Sequence, residues 1–190
     1  MRPPSISEHF VNTKLSIYHD HLDREHCELI LKAYNDLEKI DNSGLSGDNL
    51  VNTERTSWFA HSESQDAAKV WSAISQRFFW IVNGNMGLDS PYINSVKMNL
   101  HESWIAVSSE DAFVRPHIHT PCPLLWSFVF YAKIPNYKSC LEFKNSEMST
   151  MPINVREGDF LIFPSNILHG SNDTVAGRTV FSGNFAVLLN

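Results

Sequence analysis

A helical N-terminal layer resting on a C-terminal β-sandwich or barrel is the fold class the sequence predicts. Two segments before residue 90 repeat their apolar residues every three or four positions, which is one face of a helix. After Asp89 the chain breaks into short runs rich in Val, Ile, Phe, Tyr and Trp, about ten residues apart and separated by turn signals. Its 190 residues suit one domain, read as 1–190, mainly helical over 1–90 and β over 91–190. A hydrophobic content of 43% is ample for a core and too high for a disordered chain.

Asp23 is the expected N-cap of the first helix, whose inward face reads Cys27, Ile30, Leu31, Tyr34, Leu37 and Ile40. DNSGLSGDN then breaks the period with glycine, asparagine and aspartate, so 41–49 is a loop. A second helix is expected from about Gln65 to Val82, with Ala67, Val70, Trp71, Ile74, Phe78, Ile81 and Val82 inward and NGNMG at its end. Both helices are scaffold for a sheet. The strand segments are YINSVKM, SWIAVS, AFVRPHIH, LLWSFVFYAKI, CLEF, INV, DFLIFP and RTVFSGNFAVLL. No internal repeat interrupts this order.

The net charge of −6, with no cluster of Lys and Arg, excludes a bulk electrostatic grip on nucleic acid. Three cysteines, Cys27, Cys122 and Cys140, are odd in number and do not form a disulfide framework. MRPPSISEHF has no apolar signal-peptide core, and no stretch reaches the ~18–20 apolar residues of a membrane span. The expected setting is cytoplasmic, without a membrane partner.

The chemistry gathers in RPHIHTPCPLLW, residues 115–126. On a strand His117 and His119 point to the same side, their Cα atoms roughly 6.5 Å apart, so both imidazoles can reach one ion. Taken alone, a pair of surface histidines is an equal reading. A third histidine, His169, follows in EGDFLIFPSNILHGSN, where a turn at Glu157–Gly158, an apolar strand and a proline deliver it to a cavity between sheets. Imidazole suits Fe, Zn, Cu and Ni, so the donors alone leave the metal open. Nine residues further, Arg178 heads an otherwise apolar strand. Its planar fork grips carboxylates, and the neighbouring sequence supplies no fixed acidic mate, so a small carboxylate ligand suits it. A strand-end arginine in solvent is the plainer alternative.

HIH at 117–119, WSFVFY at 126–131, EGDFLIFPSNILH at 157–169 and Arg178 together resemble the iron(II)- and 2-oxoglutarate-dependent oxygenases, most of all the prolyl-hydroxylase-like bacterial and phage proteins. The resemblance spans approximately residues 93–187. It implies a double-stranded β-helix, or jelly-roll, core over 91–190, packed against the two helices, and the cofactors Fe(II), 2-oxoglutarate and O2. It further implies that His117 and His169 ligate iron, that Arg178 pairs with the C5 carboxylate of 2-oxoglutarate, and that Tyr131 hydrogen-bonds the same cosubstrate. His119 stands where these enzymes usually carry Asp or Glu; it is read as the third ligand, which leaves the metal more positive. Glu110 and Asp111, in the expected turn before, are weaker carboxylate candidates. The reaction implied is hydroxylation of a peptidyl residue such as proline, or of a small molecule, with release of succinate and CO2. Substrate contacts are expected from Arg55, Trp58, His61, Trp104, Arg115 and Trp126. Arg115 shares the strand face of His117. The TPCP segment after His119 is a stiff turn, and Cys122 is a bystander.

Two rivals follow from the same residues. HxH with Gly158, Pro164, His169 and Asn172 also resembles the cupin motifs, implying a three-histidine metalloenzyme that does not use 2-oxoglutarate, although the acidic residue expected after the HxH is missing. The other rival is a β-helix domain that binds a ligand without catalysis. Arg178 discriminates, because only the oxygenase requires it inside the cavity.

Overall fold

The computed structural model describes residues 7–11, 15–40, 50–85, 96–119, 125–135, 140–144, 150–171 and 175–189. The chain enters through two strands that the periodicity did not announce, β1 (Ser7–Val11) and β2 (Leu15–His21). Helix α1 (Arg24–Asp36) follows its expected N-cap Asp23. It stops four residues before Ile40, because Lys39–Ile40 is extended as β3 and pairs with β4 (Leu50–Thr56). A single turn, α2 (Ala60–Glu63), leads into α3 (Gln65–Asn85). The described residues of 1–90 therefore include four strands beside their helices. The predicted 41–49 loop lies outside the described residues.

The remaining strands are β5 (Val96–His117), β6 (Leu125–Lys133), β7 (Cys140–Lys144), β8 (Thr150–Asn154), β9 (Asp159–Pro164), β10 (His169–Ser171) and β11 (Thr179–Leu189). SWIAVS and the AFVRPH part of AFVRPHIH, expected in separate strands, belong to the single 22-residue β5, and Ile118 and His119 fall just past its end. The turn expected at Glu110–Asp111 is only a local irregularity in it, with Asp111 at φ 56. Hydrogen-bonded neighbours run β1-β2-β9-β6-β11-β5-β10-β7-β8, with β4 also on β5. All these ladders are antiparallel.

This single sheet has two apolar faces, and the pleat sorts the residues between them. Phe128 and Phe130 of β6, Phe160 and Ile162 of β9 and Phe181 of β11 meet the helical layer, where Cys27, Ile30, Val70, Ile74 and Phe78 are buried. The alternate residues Val129 and Tyr131, Leu161 and Phe163, and Val180 pack instead with Leu141 and Phe143 of β7 and Ile153 of β8. The sheet thus curls over on itself, with β7, β8 and β10 covering the inner face. Helices outside and a curled antiparallel jelly-roll sheet within match the fold class read from the sequence. No described helix is long and apolar enough to cross a membrane.

Gly158 makes the expected turn before β9. Its φ is +87, and a Cβ there would lie 2.5 Å from both the His21 ring and the Leu22 carbonyl. Only glycine accepts both conditions without strain.

Candidate active site

His117 ends β5 and His169 begins β10, and the antiparallel register sets them directly opposite each other. Their ring centroids are 4.4 Å apart. His119 lies two residues past the end of β5, where its backbone N–H donates to the Ser165 carbonyl at 2.9 Å. That bond ties the segment to the Pro164–Leu168 turn leading into β10. The His119 ring is 5.0 Å from that of His117 and 5.1 Å from that of His169. One nitrogen from each ring lies within 4.8 Å of the other two, a set able to hold one ion. Gly170 permits the close approach of β10 to β5, since a Cβ would meet the Val114 carbonyl at 2.8 Å.

The three rings are wired differently. His117 Nδ1 donates to the Arg115 carbonyl at 2.7 Å and His169 Nδ1 to the Ile167 carbonyl at 2.8 Å. Carbonyls only accept, so both rings carry their proton on Nδ1 and keep an Nε2 lone pair for a metal. His119 Nδ1 instead faces Asn184 Nδ2 at 3.1 Å. Burial holds His169 well below the ordinary histidine range, with the two neighbouring imidazoles adding to the effect. Burial, and then the neighbouring His117, likewise lower His119 to about 4. Both rings are neutral at pH 7, the form in which imidazole ligates. The donor chemistry therefore fits a divalent transition metal.

Behind the histidines lies a cavity that encloses about 540 Å³ when the solvent space at its open mouth is counted. Trp104, Ala106, Val129, Leu141 and Val180 form its apolar wall, and Thr53, Ser108, Tyr131, Ser171 and Ser182 supply hydroxyls. Arg178 lines it too, only 5% exposed, with Nη1 3.4 Å from Ser171 Oγ. No Asp or Glu is among the described lining residues. Its backbone is clamped by Ser108: the Ser108 N–H donates to the Arg178 carbonyl at 3.0 Å, and the Gly177 N–H donates to the Ser108 carbonyl at 2.7 Å. The cavity thus brings together His117, His169, Tyr131, Arg178 and Trp104.

Other expected contacts fall elsewhere. Trp126 differs in strand parity from Tyr131, so its ring faces the helices and packs on Tyr18 and Phe78, at 6.0 and 5.2 Å. Buried Arg55 sits 3.9 Å over the Trp58 ring, which meets Trp104 edge-on at 4.6 Å; neither Arg55 nor Trp58 lines the cavity. His61 Nδ1 is held at 2.8 Å from Ser103 Oγ. The Arg115 side chain is exposed, as are Glu110 and Asp111. Cys122, the TPCP segment and Asn172 lie outside the described residues. Sequence reasoning passed over Thr53, Ser108, Ser171 and Ser182, and over Asn184 with its partners Glu102 and Ser127. The available signal was in SGNFAV, where Ser182 and Asn184 are polar at alternate positions of an apolar strand.

No family model and no curated protein matches the chain by sequence. Solved structures do match. The epimerase SnoN from nogalamycin biosynthesis, described as non-heme and alpha-ketoglutarate-dependent, superposes with a TM-score of 0.66 at 14% identity, over 89% of this chain and 76% of its own. A Pseudomonas putida prolyl-4-hydroxylase gives 0.62 at 14% identity over 90% and 91%. HygX from Streptomyces hygroscopicus, solved with nickel and 2-oxoglutarate bound, gives 0.62 at 12% identity over 90% and 82%. This chain therefore has the double-stranded β-helix fold of the iron(II)- and 2-oxoglutarate-dependent oxygenases.

Proposed function

We propose that the protein is an iron(II)- and 2-oxoglutarate-dependent oxygenase acting on a small molecule or a peptide. The observation that carries the reading is the buried Arg178 guanidinium in the same cavity as His117 and His169. A cupin-type metalloenzyme has no need of that arginine, and a purely ligand-binding domain has no need of three converging imidazoles.

His117, His169 and His119 would surround the ion. Iron, 2-oxoglutarate and dioxygen, when bound, supply the oxidising chemistry, in which the keto acid goes to succinate and CO2 as a substrate C–H bond is oxidised. The chain's own residues orient and shield that chemistry. Arg178 pairs its fork with the distal carboxylate of the keto acid, and the Tyr131 hydroxyl donates to the same end. The apolar wall of Trp104, Val129, Leu141 and Val180 keeps bulk water from the cosubstrate, which strengthens that ion pair. Ser108 fixes the backbone at Arg178, so the fork is held ready before binding. HygX with hygromycin B bound, and a prolyl hydroxylase from Trichoplax adhaerens in complex with a peptide fragment, support both substrate classes as accessible to this fold.

Anaerobic titration with Fe(II) and 2-oxoglutarate, followed by oxygen and assay of succinate, tests the reading. His117→Ala and His169→Ala should each abolish metal binding. Arg178→Ala should weaken 2-oxoglutarate roughly 10- to 100-fold, as for a lost charge-assisted contact, with metal affinity unchanged. Equal loss of metal and keto acid in Arg178→Ala overturns the assignment.

A further inference from the structure

Asn184 occupies the central position of three paired strands, with Glu102 of β5 on one side and Ser127 of β6 on the other. Its Nδ2 donates to Glu102 Oε1 at 2.5 Å, and its Oδ1 accepts from Ser127 Oγ at 2.7 Å. Ser127 Oγ in turn lies 2.9 Å from Ser165 Oγ. A carboxylate only accepts, so the amide must present its NH2 group to Glu102. The second hydrogen of that same NH2 group then meets His119 Nδ1 at 3.1 Å. Turning the amide would set Asn184 Oδ1 against Glu102 Oε1, two acceptors at contact distance. The orientation is therefore decided by the network.

A neutral imidazole whose Nδ1 accepts carries its proton on Nε2 and has no lone pair left for a metal. His117 and His169, each donating from Nδ1 to a carbonyl, are in the opposite state. We propose that the Glu102–Asn184 pair is a positioning device that keeps His119 as its Nε2–H tautomer, so that His117 and His169 ligate the ion and His119 stands beside it as a hydrogen-bond donor. The chemistry this donor selects is an acceptor atom on an exogenous ligand of the ion. The inference rests on the metal-site reading above.

Nitrogen-15 NMR of the metal-free protein reads the tautomers directly: protonated Nε2 is expected for His119, and protonated Nδ1 for His117 and His169. Metal affinity gives a second readout, with Co(II) or Mn(II) as the probe. His119→Ala should weaken binding less than about threefold, against about a hundredfold or more for His169→Ala. In Glu102→Gln the new amide can donate to Asn184 Oδ1, which lets Asn184 turn, moves the His119 proton to Nδ1 and frees Nε2. Its metal affinity should rise about tenfold, and the gain should vanish in the Glu102→Gln/His119→Ala double variant. An Nδ1–H tautomer for His119, or losses equal to those of His169→Ala, overturns the proposal. If instead His117→Ala and His169→Ala leave metal binding intact, the metal reading itself falls and takes this one with it.

Discussion

In the proposed function Arg178 is the side chain that would discriminate between activities sharing this fold. Burying a guanidinium is costly unless charge and hydrogen bonds meet it, and the cavity offers it hydroxyls among its described lining residues and space for an anion. A planar fork is worth more there than a point charge. Arg178→Lys should therefore bind 2-oxoglutarate with an affinity between those of the parent and Arg178→Ala; calorimetry measures the order, and a lysine as good as the arginine would rule out bidentate pairing. Tyr131→Phe should cost about 2- to 12-fold in the same titration, the net worth of one hydrogen bond. Arg178 was legible as a charge heading an apolar strand, whereas Tyr131 was singled out only through the family resemblance; both line the cavity. Asn184 carries the same kind of signal, but nothing local says that its strand neighbours are Glu102 and Ser127.

At the scale of elements, period-2 alternation and turn chemistry identified β6, β9 and β11 closely, whereas the C-terminal end of α1 and the strands β1 to β4 were not legible. Leu37 and Ile40 fit the helical period, yet pairing of Lys39–Ile40 with β4 satisfies their backbone better than another helical turn. The β2–β9 junction has testable consequences. Asp159 is buried between His19 Nε2 and His21 Nδ1, both at 2.9 Å. Burial alone would raise its carboxyl, but the hydrogen bonds from His19, His21 and the Arg156 backbone outweigh it and hold it below the usual carboxylate range. A depressed carboxyl stabilises the fold above its unfolded pKa, about 3.9, and that contribution is lost as pH falls through the lower folded value. Thermal melts of the parent from pH 6 down to 3 should fall more steeply than those of Asp159→Asn; identical slopes would remove Asp159 from the account. Gly158→Ala should cost about 1–3 kcal/mol by chemical denaturation, since it adds strain at φ +87 and a clash with His21.

Across the whole molecule, α3 joins the helical layer to the sheet. Phe78 is fully buried, edge-on to Tyr18 at 5.6 Å and to Phe185 at 5.5 Å, and also packs against Trp126. Phe78→Ala should lower stability by about 3–5 kcal/mol while leaving the residual metal affinity of the folded fraction intact, because the histidines lie on the other face of the sheet. Loss of metal binding at temperatures where this variant is still folded would contradict that separation.

The sequence by itself determined the local terms: which residues share a strand face, where glycine and proline force turns, and that two histidines in an HxH pair can reach one ion. These depend on bond geometry and side-chain chemistry within a few residues. Only the tertiary structure decided that His169 lies across from His117, that Trp126 faces the helices while Tyr131 faces the cavity, and that Asn184 reaches His119. Those outcomes depend on strand register between distant segments, which is set by the burial of both sheet faces together and is written in no single stretch of the chain.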